Sequence, residues 1–282
     1  MSAVATRRVL RRRLPLSVIL GVALALVIVI LSLVSSYVAP FDPMRMAAGP
    51  RLSAPSIAHP FGTDEFGRDL LSRVLLGGRL SLGIGFTAVL SGIVIGGLIG
   101  LVAAFGGRLI EACLLRLIDV LYSFPDTLIA LALVAFLGPG IENATLAIAI
   151  SLVPFYARVT YGLAAAERAK PYIEAARLAG TRSGRLVRVH VMPNILQSMI
   201  VMATLGFSSA ILSAAGLSFL GLGVQPPSPE WGAILASGRN YITKAPWILI
   251  FPGLAICLTV LSFNLIGDSL RDLIDPRRKV RS

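Results

Sequence analysis

Glu174-Ala175-Ala176-Arg177-Leu178-Ala179-Gly180, followed nine residues later by His190-Val191-Met192-Pro193, lies in a basic loop between two long apolar segments. Pro171, Gly180 and Pro193 punctuate it. Proline suits the first turn of a helix, where its missing N–H would go unpaired anyway, and glycine suits the position just past a helix end. The spacing therefore predicts a helix over 171–179, about two turns long. At about 100° per residue, Tyr172, Ala175, Ala176 and Ala179 share one face, and Glu174, Arg177 and Leu178 the other. Small side chains beside one aromatic ring make a surface that can enter a groove closely. Such a helix can also serve simply as a cap on a bundle.

What the loop joins is set by composition. The 282 residues are 56% hydrophobic and 14% charged, with mean hydropathy +0.82. So few charges cannot cover a soluble domain of this length. Apolar runs of about 20 residues match the roughly 30 Å of hydrocarbon that a helix must cross. Six such runs lie near 16–39, 82–105, 113–137, 143–163, 195–222 and 247–267. The third is interrupted by Asp119, Pro125 and Asp126, so its first turns are expected in or below the headgroup region.

The arginines set an orientation. An even number of spans puts both termini on one side. That side holds 18 of the 26 basic residues: the cluster Arg7 to Arg13, Arg108, Arg116, six in the 162–194 loop and five in the tail. Seven fall opposite, and Arg158 lies within a span. The excess of positive charge on cytoplasmic loops then places both termini and the loop in the cytoplasm. The net charge of +12 follows from topology and anionic lipid. It does not call for nucleic acid, because no soluble segment gathers the arginines. The first apolar run is too long for a cleaved signal, and Tyr37-Val38-Ala39-Pro40 is a poor cleavage site, so it is read as an uncleaved span. Cys113 and Cys257 both lie in spans and imply neither a disulfide framework nor a metal site.

A second informative stretch is His59-Pro60-Phe61-Gly62-Thr63-Asp64-Glu65-Phe66-Gly67-Arg68-Asp69-Leu70-Leu71-Ser72-Arg73, continuing to Gly77-Gly78-Arg79-Leu80-Ser81-Leu82-Gly83. Its glycines permit tight turns, and Asp64, Arg68, Asp69 and Arg73 can pair locally. Arg68 and Arg73, five apart, need not share a helical face. Two more strings stand downstream. One is Leu217-Ser218-Phe219-Leu220-Gly221-Leu222-Gly223-Val224-Gln225-Pro226-Pro227 with Pro229-Glu230-Trp231-Gly232. The other is Gly267-Asp268-Ser269-Leu270-Arg271-Asp272 with Asp275-Pro276-Arg277.

The Glu174–Pro193 pattern resembles the EAA loop of ATP-binding cassette (ABC) importer permeases. His190 and Met192 stand where that family usually has an apolar residue and a leucine. The 59–83 string is similar to the peptide/nickel branch, and more narrowly to the second of its two paired permease subunits. The four strings keep the family's order over much of 59–277.

The resemblance implies an all-α membrane protein with six spans, both termini cytoplasmic, and the type I ABC importer permease fold. It implies a segment 1–81 (cytoplasmic tail, first span, external loop), a permease core 82–270 carrying the loop 164–194, and a tail 271–282. It further implies a multi-pass chain of the bacterial inner membrane that pairs with a second homologous permease. Two ATPase subunits would bind beneath, and an external substrate-binding protein above. Tyr172, Glu174, Ala175, Ala176, Leu178 and Gly180 are the residues expected to contact the ATPase, with Gly180 at positive φ. The 40–80 segment and the 226–244 loop would face the binding protein. Dipeptides, longer peptides, nickel chelates and glutathione-like solutes are all handled by this branch.

Absences narrow the chemistry. The three lysines, Lys170, Lys244 and Lys279, leave no GxxxxGK[ST] phosphate loop, so this chain cannot hold ATP in that way and is not read as an enzyme; the resemblance implies that ATP and magnesium are held by the partner ATPase subunits. There is no HExxH, CxxC or nucleophile elbow. An ion-coupled secondary transporter, working without ATPases, commonly carries acids at the membrane midplane. Here spans one, two, five and six have none in their cores. Asp119 is read as a structural ion pair with Arg116 as its helical neighbour, and Asp126 is left open between structure and function. Gly92, Gly96 and Gly100 form a small-residue stripe that lets helices approach. Ser209, Ser213 and Gly216 are read as packing within the bundle rather than lining a path.

Overall fold

Asp69 starts the longest helix among the described residues: its carboxylate accepts the N–H of Ser72 and closes the first turn of a helix running from Leu70 to Phe105. The computed structural model describes residues 15–274, and every element in it is helical apart from a single antiparallel bridge, Thr63 with Asp69. The helices are α1 Leu16–Leu33, α2 Ser35–Val38, α3 Leu70–Phe105, α4 Arg108–Tyr122, α5 Asp126–Leu137, α6 Ile141–Arg168, α7 Pro171–Leu178, α8 Ser183–Arg185, α9 Met192–Phe219, α10 Trp231–Gly238 and α11 Trp247–Ile274. Five long apolar elements can each cross a membrane, and the α4–α5 pair makes a sixth if its two halves are one span.

The glycine stripe explains the closest pairing. A Cβ on Gly96 would sit 2.6 Å from the Val153 carbonyl and 2.8 Å from the Tyr156 Cβ, and one on Gly92 would sit 3.0 Å from the Leu152 Cβ. Bare backbone on α3 is therefore what lets α6 lie against it. Gly96→Ala should cost about 1–3 kcal/mol, the range for overpacking a filled interface. A thermal melt of the purified protein in detergent checks this, and an unchanged midpoint would mean that the helices separate freely.

Around that pair, Ile148, Leu152 and Tyr156 of α6 meet Ile84 and Val89 of α3, Phe207 and Ile211 of α9, and Trp231 of α10 in one core. α1 lies at the edge, with Gly21 against Leu265 and the Ser17 hydroxyl 2.9 Å from that of Ser269. α9 stops where Gly221 takes φ +80°, and the Leu222 N–H returns to the Leu217 carbonyl. The Leu217-to-Gly223 string is thus a helix terminator.

The structure departs from the sequence expectations in four places. α3 begins at Leu70 rather than 82, so the expected boundary at 81 falls inside it; hydropathy registers bilayer contact, whereas the helix itself starts at its cap. The expected span 113–137 is two helices bent by 87° at Ser123–Pro125. α9 is preceded without a break by α8 and a π-helical stretch, Leu186–Val191. This wider turn precedes Pro193, whose ring would clash with the carbonyl four residues back in a regular α-helix. Finally, α11 continues through the expected boundary at 270. The arginines at 7–13 and 277–281, on which the orientation partly rests, lie outside the described residues.

Candidate functional site

α7 is built as its sequence dictates. Pro171 occupies its first turn, and Glu174 stands near the positive end of its dipole. At its end the Gly180 N–H bonds to the Arg177 carbonyl, the Thr181 N–H bonds to the Ala176 carbonyl, and Gly180 takes φ +84°. This is the left-handed helix stop that glycine makes without strain, as expected.

One side chain docks the helix. Ile173 is fully buried among Leu101, Ala104, Ala164, Leu186, Val191 and Ile195, with Ala176 half-buried beside it. The inward face is therefore Ile173 with Ala176, a pair three residues apart, and sequence reading overlooked Ile173. Of the expected contact residues, Tyr172, Glu174, Ala175, Leu178 and Gly180 are exposed, while Ala176 belongs partly to the bundle. Leu178 is 84% exposed, an apolar side chain left in the open at the tip of the loop.

A polar clamp holds α7 to the bundle. The Glu167 carboxylate, largely buried at the end of α6, accepts from Lys170 Nζ at 2.6 Å and from the Tyr172 hydroxyl. Asn194 Nδ2 donates both to that hydroxyl, at 2.9 Å, and to the His190 carbonyl, at 2.7 Å. The hydrogen bond to Glu167 pushes the Tyr172 phenol above its ordinary range and likewise raises Lys170. The His190 ring meets Tyr172 edge-on at 6.2 Å, which gives the unusual residue at 190 a place in the loop. The one sequence signal for this clamp is the three-residue spacing of Glu167 and Lys170.

The α4–α5 elbow separates its two acids. Asp119 pairs with Arg158 of α6 at 2.9 Å rather than with Arg116; a tertiary contact replaces the expected local one. Asp126 begins α5 and accepts its neighbour's N–H, from Thr127 at 2.8 Å. Ser209, Ser213 and Gly216 do not pack within the bundle. They line an open groove between α5 and α9, while Ala210 and Ala214 turn inward.

At the opposite end from α7, the chain from 40 to 69 folds into a cap. Asp64, Arg68, Asp69 and Arg73 are all almost fully buried. The Asp64 carboxylate takes Arg68 Nε at 2.5 Å and Arg73 Nε at 3.5 Å, so the two arginines do converge, one from the loop and one from α3. His59 Nδ1 lies 2.9 Å from Asp69. Arg73 also reaches the carbonyls of Pro43 and Pro227, and Trp247 Nε1 donates to the Thr63 carbonyl at 3.1 Å. Glu230 accepts from Ser81 at 2.9 Å, and Trp231 Nε1 donates to the Val74 carbonyl at 2.8 Å. The charged letters of the 59–73 string therefore build the cap from within. Its open surface carries exposed Met46, Ile57 and Phe66 beside exposed Asp42, Arg45 and Arg51. Burial pushes the Glu65 carboxyl upward.

Comparison with known proteins agrees with this geometry. The model of the family described as "Binding-protein-dependent transport system inner membrane component" matches residues 92–280. The di/tripeptide transport system permease protein DppC of Pseudomonas aeruginosa is 47% identical over 265 residues, 92% of this chain and 88% of that protein. The dipeptide transport system permease protein DppC of Escherichia coli K12 is 44% identical over 267 residues, 93% of this chain and 89% of its own length. Among solved structures, an inward-facing form of the MetNI methionine ABC transporter superposes with a TM-score of 0.59 at 20% identity. It covers 73% of this chain and 96% of the matched one.

Proposed function

This chain belongs to the family of binding-protein-dependent transport system inner membrane components, and we propose that it forms half of the translocation path of an ATP-driven importer of dipeptides or closely related small peptides. The observation that carries the coupling part of this reading is α7. A short helix is clamped to α6 and α9 by one buried isoleucine and a polar network, yet it leaves Leu178 and the small face of Ala175 open. A helix fixed on one side and open on the other transmits movement between whatever binds its open face and the helices behind it.

In this reading the α7 end faces the cytoplasm and both termini lie there. Two ATPase subunits hold ATP and magnesium and receive Tyr172, Glu174, Ala175, Ala176, Leu178 and Gly180. A second permease completes the path, and a binding protein delivers peptide to the cap beside Ile57 and Phe66. The core 82–270 carries the path, the 1–81 segment adds the edge helix α1 and the cap, and 271–282 is a cytoplasmic tail. ATP binding favours one of two arrangements of the assembly, so access alternates by differential affinity for the two states.

The test is recovery of the tagged chain from native membranes in mild detergent, with partners identified by mass spectrometry, followed by dipeptide uptake in proteoliposomes. A second permease and ATPases are expected with it. Peptide movement by the chain alone, without ATPases, would overturn the reading in favour of a secondary transporter.

Gly180→Ala probes the loop directly. No neighbour lies within 4 Å of the added methyl, so the effect is backbone strain alone, about 1–2 kcal/mol for a left-handed alanine. Peptide-stimulated ATP hydrolysis is expected to fall several-fold while the protein still assembles. Unchanged transport and stimulation would remove the main support for coupling through this loop.

A further inference from the structure

The elbow between α4 and α5 opens a cavity of about 460 Å³, lined by Tyr122 and Asp126 of the elbow, Ser151 and Phe155 of α6, and Ser209 of α9. A second cavity of about 500 Å³ shares Ser209 and continues along Ser213 and Gly216 to Leu220. The two form one groove down the open side of α9. At about 1.5 Å per residue, Ser151 lies roughly 15 Å from Ile141 along α6, and Ser209 roughly 15 Å from Phe219 along α9. The elbow cavity is thus near the middle of the bundle, far from both the cap and α7.

A carboxylate at that depth is costly unless it faces water or a cation. Asp119 has its cation in Arg158. Asp126, among the described residues, has no ion pair, and its recorded contact is the N–H of Thr127. The cavity wall carries further acceptors. Ser151 gives its proton to the Ile148 carbonyl at 2.9 Å, which leaves its oxygen free to accept, and Ser209 offers a second hydroxyl. Behind Gly206, which also lines the cavity, the fully buried Tyr156 hydroxyl has no hydrogen-bond partner among the described residues. A mostly apolar cavity lined by one carboxylate and two serine hydroxyls fits a primary ammonium on a small apolar body.

We propose that this groove is a subsite of the translocation path for the ammonium end of the transported peptide, with Asp126 as its counter-charge and the hydroxyls of Ser151 and Ser209 as acceptors. The proposal rests on the peptide-importer reading. A peptide's charged amino group must pass the low-dielectric middle of the bundle, and Asp126 stands there with no ion-pair partner among the described residues. The subsite needs to hold the ammonium only weakly, since a path that binds tightly does not release.

The test uses the complete importer in proteoliposomes, with radiolabelled dialanine. Asp126→Asn is expected to lower dialanine moved per ATP hydrolysed about tenfold, the loss of one charge-assisted hydrogen bond, and Asp126→Glu to restore much of it. In a chain with Cys113→Ser and Cys257→Ser, a thiol placed by Ser209→Cys should react with a membrane-impermeant maleimide, and turnover of dialanine should slow that reaction. A wild-type ratio in Asp126→Asn overturns the subsite. So does loss of the second permease from Asp126→Asn preparations, since Asp126 would then pair across that interface. A Ser209→Cys thiol that never reacts also overturns it. If the unmodified importer moves no dialanine at all, the peptide reading fails first, and the subsite falls with it.

Discussion

Asp64→Ala is expected to lower the apparent melting temperature of the detergent-solubilised protein by roughly 10 °C. That corresponds to about 3–5 kcal/mol for breaking a buried ion pair from one side, at 2–4 °C per kcal/mol for a chain of this size. Four groups lean on this carboxylate: the backbone N–H groups of Phe66 and Arg68, each at 2.9 Å, and the side chains of Arg68 and Arg73. Without it Arg68 keeps Glu65, at 3.6 Å, and the face of the Phe66 ring, at 4.6 Å, while Arg73 keeps the Pro43 and Pro227 carbonyls. Two guanidinium groups, each about 5% exposed, would then be buried against one another. Asp64→Asn should cost less, because an amide oxygen still accepts from the two backbone donors. Adding Arg68→Met to Asp64→Ala should recover part of the loss, since it removes one of the stranded charges. A change of under 2 °C for Asp64→Ala, compared at one scan rate because such unfolding is often irreversible, would show that water reaches the network.

That network shows what sequence can and cannot disclose here. The string from His59 to Arg73 identified the family through its letters, yet the roles of those letters came only from the fold. Arg68 and Arg73 do not share a helical face, because one is in a loop, and they meet at Asp64 only because the chain turns back on itself at Gly62 and Gly67. Local signals were reliable where local physics decides. Pro171, the interval to Gly180 and the positive φ of Gly180 follow from cap chemistry, and the stripe Gly92, Gly96 and Gly100 follows from helical period. Five of six spans follow from apolar length. Where a tertiary partner decides, the sequence was silent. Asp119 chose Arg158 over the nearer Arg116 because α6 passes beside α4. The 87° bend after Tyr122 was announced by Pro125 and Asp126 only as an interruption. The open face of Ser209 and Ser213 depends on how far α5 stands from α9, which no periodicity records. Ile173 was hidden between more familiar letters, although its burial is what fixes α7.

Ile173 and Leu178 therefore separate holding the loop from using it. Leu178→Asp is expected to abolish peptide uptake, to below about one hundredth of the unmodified level for a hot-spot anchor worth roughly 3–4 kcal/mol, while leaving the melting temperature of the isolated chain unchanged. The side chain is 84% exposed and meets nothing in the bundle that a carboxylate would disturb. Any loss must arise from what docks there, and a new charge in an apolar pocket stays unpaired. Ile173→Ala should do the opposite. It removes a fully buried side chain from the cluster with Leu101, Leu186 and Val191, lowers stability by about 2–5 kcal/mol, and loosens α7 without altering its open face. Recovery of ATPase subunits in a pull-down distinguishes the two, since Leu178→Asp should lose them at full protein yield and Ile173→Ala should lose them in proportion to folded protein. If Leu178→Asp retains both its ATPases and its transport, the open face of α7 is not the docking surface. The clamp of Glu167, Lys170, Tyr172 and Asn194 would then serve only to close the end of the bundle.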